Sequence, residues 1–131
     1  MYFKNNERLE FLGDSVLGVV TASYLYKNLD NPEGKLEKIK STVVSEKTLA
    51  EVAHRLQIDK LLILGHGEEK SGGREKPAIL ADCMEAIIGA YYLDSGYKCA
   101  EIYVLSFIAG EIKKVCEVGL KDYKTLLQEK F

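Results

Sequence analysis

The chain has 131 residues, enough for one domain with a core of its own. Hydrophobic residues make up 47% and charged residues 29%, with a net charge of −2, the balance of an ordinary globular protein and not of a surface given over entirely to gripping nucleic acid. No run of about 18 apolar residues is present to span a bilayer and the start lacks a signal-peptide pattern, so the expectation is a cytoplasmic chain with no membrane association.

Helices are expected almost throughout. The first runs from Glu7 to about Asn28 and stops before the turn Asp30-Asn31-Pro32-Glu33-Gly34. A second covers roughly Lys35–Val44, with Leu36, Ile39 and Val43 at helical spacing. A third starts near Ser45 and carries Leu49, Val52, Ala53 and Leu56, followed by a short element at Lys60–Leu64. The segment Gly65–Lys76, with its tract GEEKSGGREK, reads as a glycine-rich loop. Pro77 suits a first helical position and opens a helix to about Leu93, closed at Asp94-Ser95-Gly96 with Gly96 as a positive-φ cap. A long helix follows over about Lys98–Val118, and after Gly119 a new helix is expected with Asp122 as N-cap. No strand alternation and no internal repeat is present, so the fold class is all-α. Cys83, Cys99 and Cys116 are odd in number and widely spaced, which suits a reduced setting and not a zinc knuckle or disulfide frame.

The acids pose the main question. Glu7, Glu10 and Asp14 recur at helical spacing, and like charges one turn apart destabilise a helix by roughly 0.2–0.5 kcal/mol per pair. On a helical wheel Leu9, Leu12, Val16, Val19 and Val20 form the expected core face, with Glu7, Glu10, Asp14 and Thr21 nearly opposite and Phe11 on a strip beside the acids. The helix after Pro77, AILADCMEAIIGAYYL, is apolar nearly all round, the mark of a buried central helix. Asp82 and Glu85 alone interrupt it, on one side, with Gly89 on the same stripe where another backbone could come close. Acid pairs on helices are commonly solvated faces. Two acids inside an apolar helix are costly to bury without compensation, and only Arg8 lies near as a cation. A hard divalent cation such as Mg²⁺, which takes oxygen ligands, is the economical neutraliser if the two helices face one another.

The segments that carry these acids resemble ribonuclease III. NERLEFLGDSVL is very similar to the signature of that family, ILADCMEAIIGAYYLDSG to its second acidic motif, GEEKSGGREKP to the loop before it, and KDYKTLLQE to the junction into a double-stranded-RNA-binding domain. The resemblance implies an all-helical ribonuclease III-type endonuclease domain over residues 1–118, with 119–131 a linker and the start of a truncated RNA-binding domain. It also implies helices ahead of the signature, of which the chain holds only Met1–Lys4, so a piece of a longer protein is expected. By motif position Glu10, Asp14, Asp82 and Glu85 correspond to the catalytic, metal-binding acids, Glu46 to a supporting acid near the site, and Glu7 to an acid linked to a homodimer interface. Phe11, off the core stripe and flanked by Glu7 and Arg8, is expected to be buried in that interface or else beneath helices ahead of the signature. Glu46 reads equally well as a helix-start acid favoured by the dipole.

The implied activity is Mg²⁺-dependent hydrolysis of phosphodiester bonds in double-stranded RNA, with Mn²⁺ as a substitute cation. Products would carry 5′-phosphate and 3′-hydroxyl ends with short 3′ overhangs, as in processing of ribosomal RNA precursors. Lys70, Arg74 and Lys76, around paired glycines, suit a basic contact to an RNA backbone, and equally a solvated linker. Two other readings compete. A carboxylate-bridged di-iron bundle needs two Glu-x-x-His pairs on facing helices; Glu51-x-x-His54 occurs once, on the polar side of its helix, and His66 sits in the glycine-rich loop. A non-catalytic module of the same fold would be signalled by loss of one of the four acids, and all four are present.

Overall fold

The structure is a computed structural model that describes residues 6–61 and 76–130, with side chains for 6–60 and 76–118. Every element among the described residues is helical: α1 (Glu7–Asn28), α2 (Glu33–Val43), α3 (Glu46–Arg55), a 3₁₀ turn (Ile58–Leu61) and α4 (Pro77–Lys130). None of these helices is long and apolar enough to cross a membrane.

The element boundaries follow local chemistry. Helix α1 ends where Leu29 turns extended, and Pro32, also extended, leads into α2. The Ser45 hydroxyl oxygen accepts the Thr48 N–H at 3.3 Å, an N-cap that starts α3. Gln57, at φ 61°, reverses the chain after α3. Helix α4 is broken at Gly96, whose φ of 84° and ψ of 177° lie in a region open essentially to glycine. The break folds the second limb, 97–130, back on the first, 77–95, so that Tyr91 stacks on Tyr103 with ring centroids 4.6 Å apart.

The first limb is the central helix that its composition predicts. Ile79, Leu80, Ala81, Cys83, Met84, Ala86 and Ile88 are all buried, around a core completed by Leu17, Val20 and Leu25 of α1, Val43 of α2, Leu49 and Val52 of α3, and Val104 and Ile108 of the second limb. Arg55, at the end of α3, pairs with the largely buried Glu111 of the second limb at 3.5 Å, and Lys114 reaches the same carboxylate at 3.2 Å.

Three expectations are corrected. The core face of α1 is rotated toward the acids: Gly13, Leu17 and Thr21 are buried while Val19 is exposed. Thr21 is accommodated because its hydroxyl donates to the Leu17 carbonyl at 2.7 Å. Leu56 is also exposed, since α3 stops at Arg55 and the chain turns outward. The expected break after Val118 is absent from the backbone, which stays helical through Lys130, so Asp122 caps no helix there. A single glycine costs a helix about 1 kcal/mol, which flanking helix formers can absorb. The loop Gly65–Lys76 lies outside the described residues apart from Lys76, and so does Leu62–Leu64 of the short element.

Candidate active site

The site is built where α1 crosses the first limb of α4. Both helices carry a glycine at the crossing. A Cβ on Gly13 would overlap the backbone carbonyl of Glu85 and stand 2.9 Å from the Gly89 nitrogen. A Cβ on Gly89 would overlap the Leu9 carbonyl and stand 3.2 Å from the Gly13 nitrogen. The two backbones are therefore in direct contact. Glu10 and Asp14 lie on either side of Gly13 in α1, and Asp82 and Glu85 two turns and one turn before Gly89 in α4.

Electrostatics show that the carboxylates feel one another. Glu85 is half-buried and its carboxyl is pushed up to about 8, first by burial, then by a hydrogen bond to Asp14 and by the charges of Asp14, Asp82 and Glu10. Glu10 is raised by burial, then by Asp82 and Glu7. Asp82 is raised by burial, then by Glu46 at the start of α3. Four acids thus couple across the crossing, with Glu46 of α3 at one margin and Glu7 at the other. Glu46 and Asp14 are exposed, so the cluster opens to solvent on one side.

The donors suit a hard cation in type. Glu10 Oε1 is fully buried and has no hydrogen-bond partner, a state that costs about 1–3 kcal/mol or more unless the oxygen finds a ligand. Every donor in the set is a carboxylate oxygen, the ligand that Mg²⁺ and Mn²⁺ prefer. Among the described residues, however, no three His, Cys, Asp or Glu side chains are drawn together tightly enough to form a finished metal cage. The coupled acids and the orphaned oxygen are what fit a cation, and side-chain adjustment would complete its shell.

The other expected residues fall as follows. Glu7, Arg8 and Phe11 are exposed and, with Leu9, Leu12 and Leu93, line an open hollow of about 720 Å³ beside the acids. Phe11 is 77% exposed and Leu93 65%, a pair of large apolar side chains in solvent. Lys76 is exposed, and Lys70 and Arg74 lie outside the described residues. Glu51 and His54 are both exposed on the polar side of α3. Cys83 is buried with its thiol pushed up to about 11 by burial, which makes it a packing residue. The residue that sequence reasoning passed over is Gly13. Its signal was present: it is the one residue without a side chain between two acids of an otherwise well-formed helix.

A helical domain whose central helix meets a neighbour glycine to glycine, with a carboxylate pair on each, defines a class of protein built around a cluster of acids at a helix crossing. The chain belongs to the Ribonuclease-III-like family, whose model matches residues 2–112. It is 59% identical over 130 residues to Ribonuclease 3 of Treponema denticola, covering 98% of this chain and 53% of that protein. It is 53% identical over 127 residues to Ribonuclease 3 of Treponema pallidum, covering 95% of this chain and 50% of that protein. The chain therefore spans about half the length of these curated relatives. Among solved structures, a nuclease domain of Ribonuclease III from Campylobacter jejuni, described as structurally flexible in the region involved in dimer formation, superposes with a TM-score of 0.77. It shares 43% identity over 81% of this chain and 75% of that one.

Proposed function

We propose that this chain is the catalytic domain of an endoribonuclease that hydrolyses phosphodiester bonds in double-stranded RNA with Mg²⁺, or Mn²⁺ in its place. The observation that carries this reading is the coupling of Glu10 and Asp14 with Asp82 and Glu85 across the helix crossing. The relatives named Ribonuclease 3 support it.

Glu10, Asp14, Asp82 and Glu85 would hold the cation. When bound, it supplies positive charge that lowers the pKa of a water and stabilises the scissile phosphate and the leaving 3′ oxygen. Glu85 is the chain's own contribution to readiness: its carboxyl is pushed up to about 8, so it must lose its proton before the full set of oxygens is available. Buried Glu10 Oε1 is held in place by packing, so it contributes a preoriented donor. The products carry 5′-phosphate and 3′-hydroxyl ends. Recognition by shape, phosphates and 2′-hydroxyls suits a domain of net negative charge without a stacking platform.

The working unit in this reading is a cytoplasmic homodimer joined through Glu7, Arg8 and Phe11, each protomer cutting one strand. Residues 1–118 form the endonuclease domain, and 119–131 lead toward an RNA-binding domain, with Lys70, Arg74 and Lys76 as backbone contacts. The deciding experiment incubates the chain with double- and single-stranded RNA, in Mg²⁺ or in chelator. Cleavage of the duplex alone, abolished by chelator, is expected. Metal-independent cleavage, or a preference for single strands, contradicts the reading.

A further inference from the structure

We propose that Gly89, together with Gly13, is a positioning residue that sets the span between the two carboxylate pairs, and so the site's affinity for its divalent cation. The inference rests on the function proposed above and adds the element that controls the site's geometry.

Both glycines touch main chain that carries or adjoins the acids. Gly89 is buried against the Leu9 carbonyl, one residue before Glu10, and against the Gly13 nitrogen, one residue before Asp14. Gly13 is buried against the carbonyl of Glu85 itself. Each glycine therefore abuts backbone that carries or adjoins an acid on the opposite helix. These obstacles are main-chain atoms inside regular helices, which do not swing aside as a flexible side chain would. A methyl group at position 89 must translate or tilt one whole helix against the other. The carboxylates, two on each helix, move apart with it.

Metal sites respond to such shifts more steeply than folds do. A Cβ that overlaps the Leu9 carbonyl must ease the crossing by about 0.6 Å to bring that contact to even 3.0 Å, a shift the apolar contacts tolerate better than a hard cation, which demands oxygens at nearly fixed distance. Supporting residues that orient ligands without touching the metal change affinity by about 10–100-fold. By contrast, a Cβ on Gly110, also helical, meets nothing within 4 Å. The two positions thus separate the effect of spacing from the general effect of glycine on a helix.

The test compares wild type, Gly89→Ala and Gly110→Ala in the full chain. Folding is followed by far-UV circular dichroism and metal-free melting, Mn²⁺ affinity by water-proton relaxation or calorimetry, and duplex cleavage as kcat and KM separately. The expected result is a helical, cooperatively melting Gly89→Ala whose Mn²⁺ affinity falls by about 10–100-fold. Its kcat at limiting metal falls with the affinity while KM for the duplex holds. Gly110→Ala matches wild type in Mn²⁺ affinity, kcat and KM.

A second variant covers the case in which Gly89→Ala does not fold. Asp82→Glu moves one carboxylate out by a methylene without touching the crossing. If span is limiting, it too must lose Mn²⁺ affinity. Combined with a folded Gly89→Ala, the longer side chain must restore part of what the wider crossing lost. Wild-type Mn²⁺ affinity in a folded Gly89→Ala, or in Asp82→Glu, overturns the inference. Wild type that neither binds Mn²⁺ nor cleaves duplex overturns the function proposed above instead.

Discussion

Glu85 of α4 meets Asp14 of α1 across the helix crossing, and burial together with this neighbour pushes the Glu85 carboxyl up to about 8. The raised Glu85 carboxyl links folding, pH and metal.

The ordinary value for Glu85 is 4.5 and the folded value is about 8. Between the two, the folded chain holds a proton that the unfolded chain has lost, so stability declines as pH rises through that window and levels above it. Glu10 and Asp82, also raised, act in the same direction. Metal-free thermal melting should therefore give a higher Tm near pH 5 than near pH 8. A flat or rising Tm across that range contradicts the coupling of the acids. Added Mn²⁺ should raise Tm more at the higher pH, where Glu85 gives up its proton readily.

Replacing Glu85 by Gln should separate stability from activity. The neutral amide removes like-charge repulsion, so Tm near pH 8 without metal should rise or hold. Cleavage of duplex RNA at limiting Mg²⁺ should fall by about 100-fold or more, in line with the several kcal/mol that a metal site supplies. Wild-type cleavage by Glu85→Gln would remove Glu85 from the site. Cys83→Ala, two residues away but on the packed face, should keep the activity, with a stability cost of about 1 kcal/mol for the lost buried volume.

Phe11 supplies a test of association. It is 77% exposed in a single chain, next to the hollow lined by Leu12 and Leu93. A two-fold interface would bury it once per protomer, at roughly 1.5–3 kcal/mol each. Sedimentation at several concentrations should show a wild-type dimer and a Phe11→Ala dissociation constant raised roughly 100-fold or more. A wild type that stays monomeric at tens of micromolar, or an equally tight Phe11→Ala dimer, rules the role out.

Gly96 and Gly110 should respond oppositely to alanine. Gly96 occupies φ 84°, ψ 177°, which a Cβ strains by about 1–3 kcal/mol, and it shapes the reversal that brings Tyr103 onto Tyr91. Gly110 is helical and open, so alanine there should stabilise by about 0.4–1 kcal/mol through the unfolded state. Urea unfolding of both variants checks the pair. Equal effects at the two positions would mean that the reversal at Gly96 does not depend on glycine.

Much of this molecule was legible along the chain. Alignment of Glu7–Asn28 with α1, the start of α4 at Pro77 and the break at Gly96 follow from local rules: periodicity, a proline that fits a first turn, a glycine that tolerates positive φ. The buried centre, from Ile79 to Ile88, declares itself because it is apolar on every side. The acids stand out for the converse reason, since charge inside such a helix needs an explanation.

Tertiary structure alone decided which side of α1 faces inward. A wheel weighted by hydrophobicity turns Val19 in and Thr21 out, and the protein does the reverse. The cause is that two glycines let α1 and α4 meet backbone to backbone, and the gain from that close approach rotates the acid stripe toward the core. Hydrophobic periodicity measures how much apolar surface each residue offers; it carries no term for a residue whose contribution is to offer none. That is why the four carboxylates could be named from the chain, while their coupling, the raised carboxyl of Glu85 and the orphaned oxygen of Glu10 exist only once the helices have crossed.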